Sequence, residues 1–155
     1  MASTFDLYKK VTALPRGKRL FSVLYGQKAR YFASIHLRVQ EMKPHHAAVK
    51  IPKRRSVQNH IGTVHAIAAC NGLEAAMGLL AEATCPADMR WLPKGMKVNY
   101  LAKSGGDLIC TADTTAADWA NAPDVPVTVR ATLADGTVTV EGTIDLWVTP
   151  KGKKN

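Results

Sequence analysis

The stretch NHIGTVHAIAACNGLEAAMG, Asn59 to Gly78, decides how the chain is read. From Gly62 to about Ala83 small and apolar residues fall on every side, and no Lys or Arg interrupts Ile61 to Ala83. A helix apolar nearly all round has no face to offer water, so it belongs enclosed by other elements. Its glycines, Gly62, Gly72 and Gly78, cost such a helix roughly 1 kcal/mol each against alanine, which close packing or function must offset. Pro86 ends it, because proline cannot continue a helix cheaply. The quoted stretch contains one carboxylate, Glu74.

Strand patterns flank this helix. On its amino-terminal side Phe32, Ile35, Leu37 and Val39, then Ala47, Val49 and Ile51, are spaced for two strands between Tyr31 and Ile51, with Lys43-Pro44 near the turn. On the other side Met96, Val98 and Tyr100 alternate with Lys97 and Asn99, and Leu108, Cys110 and Ala112 repeat the pattern after the turn Lys103 to Gly106. Val125 to Leu133 and Val138 to Val148 form a hairpin around Ala134-Asp135-Gly136. Ahead of all this, Ser3 or Thr4 can cap a short helix, and Pro15 suits the first turn of a second that runs to about Tyr25. The order predicts an α+β fold in which about six largely antiparallel strands curve around one central helix. The expected divisions are a helical extension over 1–28, the α+β domain over 29–150 and a loose basic tail over 151–155.

A chain of 155 residues suits one domain with a full core. The formal charge of +9 attracts anions, whether nucleic acid, anionic lipid or a phosphorylated small molecule. Cys70, Cys85 and Cys110 form no CxxC pair and no secretory signal precedes them, which argues for reduced thiols in a cytoplasmic setting. Asn71 and Glu74 inside Val64 to Ala81 argue against a membrane span. His45, His46, His60 and His65 lack ligand spacing, so no metal is expected. With neither a G-x-S-x-G elbow nor a phosphate loop, serine hydrolase and nucleoside-triphosphatase chemistries drop out.

The run Asn59-His60-Ile61-Gly62-Thr63-Val64-His65, followed nine residues later by Glu74, resembles the hotdog-fold acyl-CoA thioesterases. The likeness is strongest to the phenylacetic-acid-degradation type and its uncharacterised bacterial relatives, and it extends over roughly Tyr31 to Val148. It implies a hotdog fold and hydrolysis of an acyl thioester, with Glu74 as general base or nucleophile and Asn59 positioning the substrate carbonyl or the water. Gly62 and His65 match the motif at the helix start, and the Ala66 N–H matches the amide that polarises the carbonyl. A homodimer or dimer of dimers is implied too, with coenzyme A present only as part of the substrate. The chain departs from the pattern where Ala66 and Ile67 replace paired glycines and where Glu replaces the commoner Asp.

Arg54, Arg55 and Lys97 are the candidates for the phosphates of coenzyme A or of a carrier's phosphopantetheine arm. Plainer roles stand beside these: Glu74 as a structural carboxylate, Asn59 as a turn former, His65 as a helix-start residue donating to a backbone carbonyl. At the level of function the alternatives are a non-catalytic acyl-CoA or acyl-carrier binder and a nucleic-acid module. Few aromatics interleave with the basic residues, which counts against the last.

Overall fold

The computed structural model describes residues 3–152. Helix α1 (Thr4–Thr12) opens with a reciprocal cap in which the Asp6 N–H donates to Ser3 Oγ at 3.0 Å and the Ser3 N–H donates to Asp6 Oδ2 at 3.3 Å. Helix α2 spans Gly17–Lys28, so Pro15 lies in the preceding turn and not in the first helical turn. A chain of rings, with Tyr8 edge-on to Phe21 at 5.0 Å, Phe21 stacked on Tyr25 at 6.1 Å and Tyr25 stacked on Phe32 at 5.8 Å, ties these helices together. That stack overturns one expectation: Phe32 belongs to a short helix, α3 (Arg30–Ala33), and the first strand begins only at Arg38.

Strands β1 (Arg38–Lys43) and β2 (His46–Ile51) form a hairpin that turns at Pro44 and His45. The long helix α4 covers Ala66–Thr84, four residues later than the hydropathy pattern alone suggests. Residues 58–64 instead form a closed loop: Gln58 bridges to Val64, the Asn59 N–H donates to the Thr63 carbonyl at 2.9 Å, and Gly62 turns with φ of 76°. Then follow β3 (Met89–Tyr100), β4 (Leu108–Asp113), a short α5 (Ala116–Ala120), β5 (Asp124–Thr132) and β6 (Val138–Pro150). Helix α5 was not anticipated, although its Thr115 to Asp118 capping box is visible in the sequence.

One six-stranded antiparallel sheet results, in the order β1-β2-β4-β5-β6-β3. Helix α4 touches β1, β2, β4, β5 and β6, so the sheet wraps it as expected. Close approach explains Gly72: a Cβ there would collide with Ile51 Cδ1 and lie 2.8 Å from Cys110 Sγ. Among the described helices α4 alone is long and apolar enough to cross a membrane, with mean hydropathy 1.2, and its enclosure by the sheet accounts for that composition.

Phe21 and Tyr25 join the same core as Val39, Met42 and Leu73, so the amino-terminal helices pack onto the single core. At the start of the expected basic tail, Lys151 donates its N–H to the Asp88 carbonyl at 2.8 Å and its Nζ to the Ala87 carbonyl at 2.7 Å. The rest of that expectation, residues 153–155, lies outside the described residues.

Candidate active site

Glu74 sits two turns into α4 and is half-buried. It borders a cleft of about 360 Å³ whose walls are Tyr25 and Lys28 of α2, Phe32 of α3, Glu82 of α4, and Trp91 and Leu92 of β3. Gly78 forms part of the floor; a Cβ there would meet Tyr25 Oη at 3.4 Å and Trp91 Cη2 at 3.6 Å, filling depth that glycine leaves open. Lys28 Nζ donates to Thr4 Oγ1 at 3.0 Å. No hydrogen bond or ion pair reaches the Glu74 carboxylate among the described residues.

The Tyr25 phenol is the second polar group here. Burial pushes its pKa above the ordinary phenol range, and the Glu82 and Glu74 carboxylates push the same way. It therefore keeps its proton and donates, to the Ala75 carbonyl at 3.4 Å.

A separate cavity of about 240 Å³ lies at the amino end of α4, bordered by Tyr31, Ser34, Gln58, His65, Ala68 and Asn71. His65 is the N-cap: its imidazole Nδ1 accepts from the Ile67 N–H at 3.1 Å, where donation to a carbonyl was expected, while its backbone N–H donates to the Val57 carbonyl at 2.8 Å. The Ala66 and Ala68 amides have no backbone or side-chain acceptor among the described residues, as the first turn of a helix leaves them. Asn71, only 6% exposed, donates its Nδ2 to Ser34 Oγ at 3.4 Å. Ser34 gives its own proton to the Tyr31 carbonyl at 2.7 Å and can only accept from Asn71, which fixes the orientation of the amide. Asn71 Oδ1 is left buried without a partner. The sequence showed Asn71 as a polar residue inside the apolar helix, three positions before Glu74, but gave no sign that its amide would be incompletely satisfied.

Asn59 closes its own loop: Oδ1 accepts from the Ile61 N–H at 3.2 Å and the Thr63 N–H at 3.1 Å, and Nδ2 donates to Thr63 Oγ1 at 2.8 Å. Gly62 provides the turn within that loop and is not part of the helix start.

The proposed residues are thus not gathered in one place within a single chain. Glu74 lines the first cleft and His65 the cavity at the helix start, while Arg54 lines a third cavity altogether. Ala66 and Glu74 are eight residues apart, about 12 Å along the axis at 1.5 Å per residue. One thioester carbonyl cannot touch both in the same helix. Arg55 is exposed on the short 3₁₀ turn Arg55–Val57, and Lys97 is exposed on β3 opposite Thr143. No group of three or more His, Cys, Asp or Glu suited to a metal occurs among the described residues.

Residues 17–148 match a family described as a domain of unknown function, DUF4442. No curated protein matches the chain. Among solved structures the chain is similar to the structural-genomics protein APC5556, at 40% identity and a TM-score of 0.85 over 96% of this chain and 99% of that one. It is also similar to PA5026 of Pseudomonas aeruginosa, described as of unknown function and a probable thioesterase, at 20% identity and a TM-score of 0.74 over 89% of this chain and 97% of that one. A thioesterase family protein of Silicibacter pomeroyi follows at 21% identity and a TM-score of 0.67, over 82% of this chain and 99% of that one. The architecture is the hotdog fold that the Asn59 to Glu74 motif led us to expect.

Proposed function

The chain belongs to the DUF4442 family, and on that premise we propose that it hydrolyses acyl thioesters of coenzyme A or a related carrier, with Glu74 as the acid-base residue. The observation that carries the reading is Glu74 itself. A structural carboxylate in a core helix is normally satisfied by a partner, whereas this one faces an open cleft with none among the described residues.

In the reaction, water attacks the thioester carbon as Glu74 takes its proton. The carbonyl oxygen gathers negative charge that free amides at the start of α4, Ala66 foremost, stabilise together with the helix dipole. The tetrahedral intermediate then expels the thiolate, which takes up the proton, leaving carboxylic acid and thiol. Because about 12 Å separates Ala66 from Glu74 along one helix, the two halves of this chemistry come from different copies of the chain in a homodimer. Strand β3 supports this, being an edge of the sheet that, among the described residues, pairs only with β6 and exposes Leu92, Met96 and Tyr100.

The test offers the purified chain a panel of acyl-CoAs and compares it with Glu74→Gln. Expected are turnover by the wild type and a loss of about 100-fold or more in kcat for the variant, with an unchanged circular dichroism spectrum. Absence of turnover, or equal turnover by the variant, rejects the proposal. A saturable thermal shift with a non-hydrolysable analogue and no hydrolysis would establish the binding reading instead.

A further inference from the structure

A basic cleft of about 820 Å³ lies beside the amino-terminal helices, and one of its residues, Arg54, stands five positions before Asn59. Arg19 of α2, Arg30 of α3, Arg38 of β1 and Arg54 of the following loop line it, with His36 at its rim. Among the described residues no carboxylate lines it. None of the four guanidiniums has an acidic partner among the described residues, whereas Lys9, Lys43, Lys50, Lys94 and Arg130 each have one. A nearby acid, Asp107, has its oxygens taken by Lys50 Nζ at 2.8 Å and the Lys53 N–H at 2.8 Å.

Four like charges around one concavity repel one another and raise the local concentration of anions. Guanidiniums present planar, paired donors that match phosphate and carboxylate oxygens alike, and it is the gathering of four of them around one cleft that favours a ligand with several negative charges, as a multiply phosphorylated one has, over a single carboxylate. The volume lies within the range of small-molecule sites, roughly 300–1,000 Å³. A concave cleft bounded by α2, α3 and β1 also suits a compact ligand better than a long duplex.

We propose that this cleft binds the phosphorylated nucleotide end of the substrate, a nucleoside bearing both a pyrophosphate and a phosphomonoester. Its charge of roughly −4 at neutral pH balances the four arginines. Helices α2 and α3 are the wall shared with the Glu74 cleft: Gly26 and Ala33 line the arginine side, and Tyr25 and Phe32 line the Glu74 side. The nucleotide is therefore anchored beside the amino-terminal helices while the thioester extends past α3 toward reactive groups. That the nucleotide belongs to a coenzyme A thioester rests on the proposed function; the preference for phosphate does not.

The experiment titrates the full chain by calorimetry with coenzyme A, adenosine 3′,5′-bisphosphate and pantetheine, and repeats this for Arg19→Gln/Arg30→Gln and for Lys10→Gln/Lys103→Gln, which removes equal charge elsewhere. Expected is binding of the two phosphorylated ligands at least tenfold tighter than pantetheine, weakened at least tenfold in the arginine variant and unchanged in the lysine variant. Hydrolysis of an acyl-N-acetylcysteamine, which lacks the nucleotide, is expected to be the same in all three. Nucleotide binding of this pattern without any hydrolysis would uphold the cleft and reject the thioesterase. Hydrolysis of acyl-CoA with KM indifferent to the arginines would reject the cleft alone. Preference for oligonucleotides, rising with their length and displacing the nucleotide, would also overturn the proposal.

Discussion

The Tyr25 hydroxyl, carried on α2, reaches the carbonyl of Ala75, the residue next to Glu74, at 3.4 Å. This contact joins the amino-terminal helices to the central helix at the place where the candidate base stands. Its length marks it as a weak hydrogen bond, and the ring supplies most of the packing through Phe21 and Phe32. Tyr25→Phe should therefore cost no more than about 1 kcal/mol, whereas Tyr25→Ala should cost about 3–5 kcal/mol. Urea denaturation of the two variants measures the difference, and equal losses would show that the hydroxyl, not the ring, holds α2 in place.

Asn71 leads to a prediction in which stability and activity separate. Its buried Oδ1 has no partner, while its Nδ2 serves only a long bond to an exposed serine. Replacing a buried unsatisfied polar group by an apolar one of similar shape removes a desolvation cost of about 1–3 kcal/mol. Asn71→Leu should raise the midpoint of chemical denaturation and lower thioester hydrolysis, because the cavity at the helix start loses its acceptor. A destabilised variant would mean that Oδ1 is satisfied in solution.

His65 caps α4 through Nδ1. Loss of an N-cap acceptor typically costs about 0.5–2 kcal/mol, and Asn is itself a strong cap. His65→Ala should accordingly lower stability by that amount and His65→Asn should restore it, as thermal or urea unfolding would record. An alanine variant as stable as the wild type would remove the cap from the account. If His65→Asn matches the wild type in stability yet loses turnover, the imidazole has a chemical role beyond the cap.

Acid should weaken one anchor of the loop that carries Arg54. The Lys50 ammonium first, and the Lys53 N–H second, hold the Asp107 carboxyl below its ordinary pKa. The unfolded chain then binds the proton more readily than the folded one. The contribution is complete above about pH 4, the unfolded value, and is lost as pH falls through the folded value. Asp107 is largely exposed, so solvent screening keeps the effect below about 1 kcal/mol. The stability gap between wild type and Asp107→Asn should be measurable at about pH 7 and should narrow as pH falls below about 4; a gap that widens in acid would reverse the sign assigned here.

Much of the fold was legible because its signals are local. Alternation identified the strands, the apolar run identified α4, and Lys43-Pro44 and Asp135-Gly136 marked two turns that the structure contains. Phe32 shows where that reading failed: a ring spaced like a strand residue is drawn into α3 by Tyr25, from a different helix. The start of α4 failed similarly, because Asn59 and Thr63 close a loop through side-chain bonds that no hydropathy pattern records.

By itself the sequence determined that one apolar helix bearing Glu74 would be enclosed by antiparallel strands, since periodicity and turn chemistry act over a few neighbouring residues. Only the tertiary structure decided which groups share a cavity. Arg19, Arg30, Arg38 and Arg54 meet because α2, α3 and β1 pack together, and Asn71 lies buried with one polar atom unpartnered because Ser34 arrives from a distant turn. Such encounters depend on contacts between residues far apart in the chain, and no short stretch of sequence encodes them.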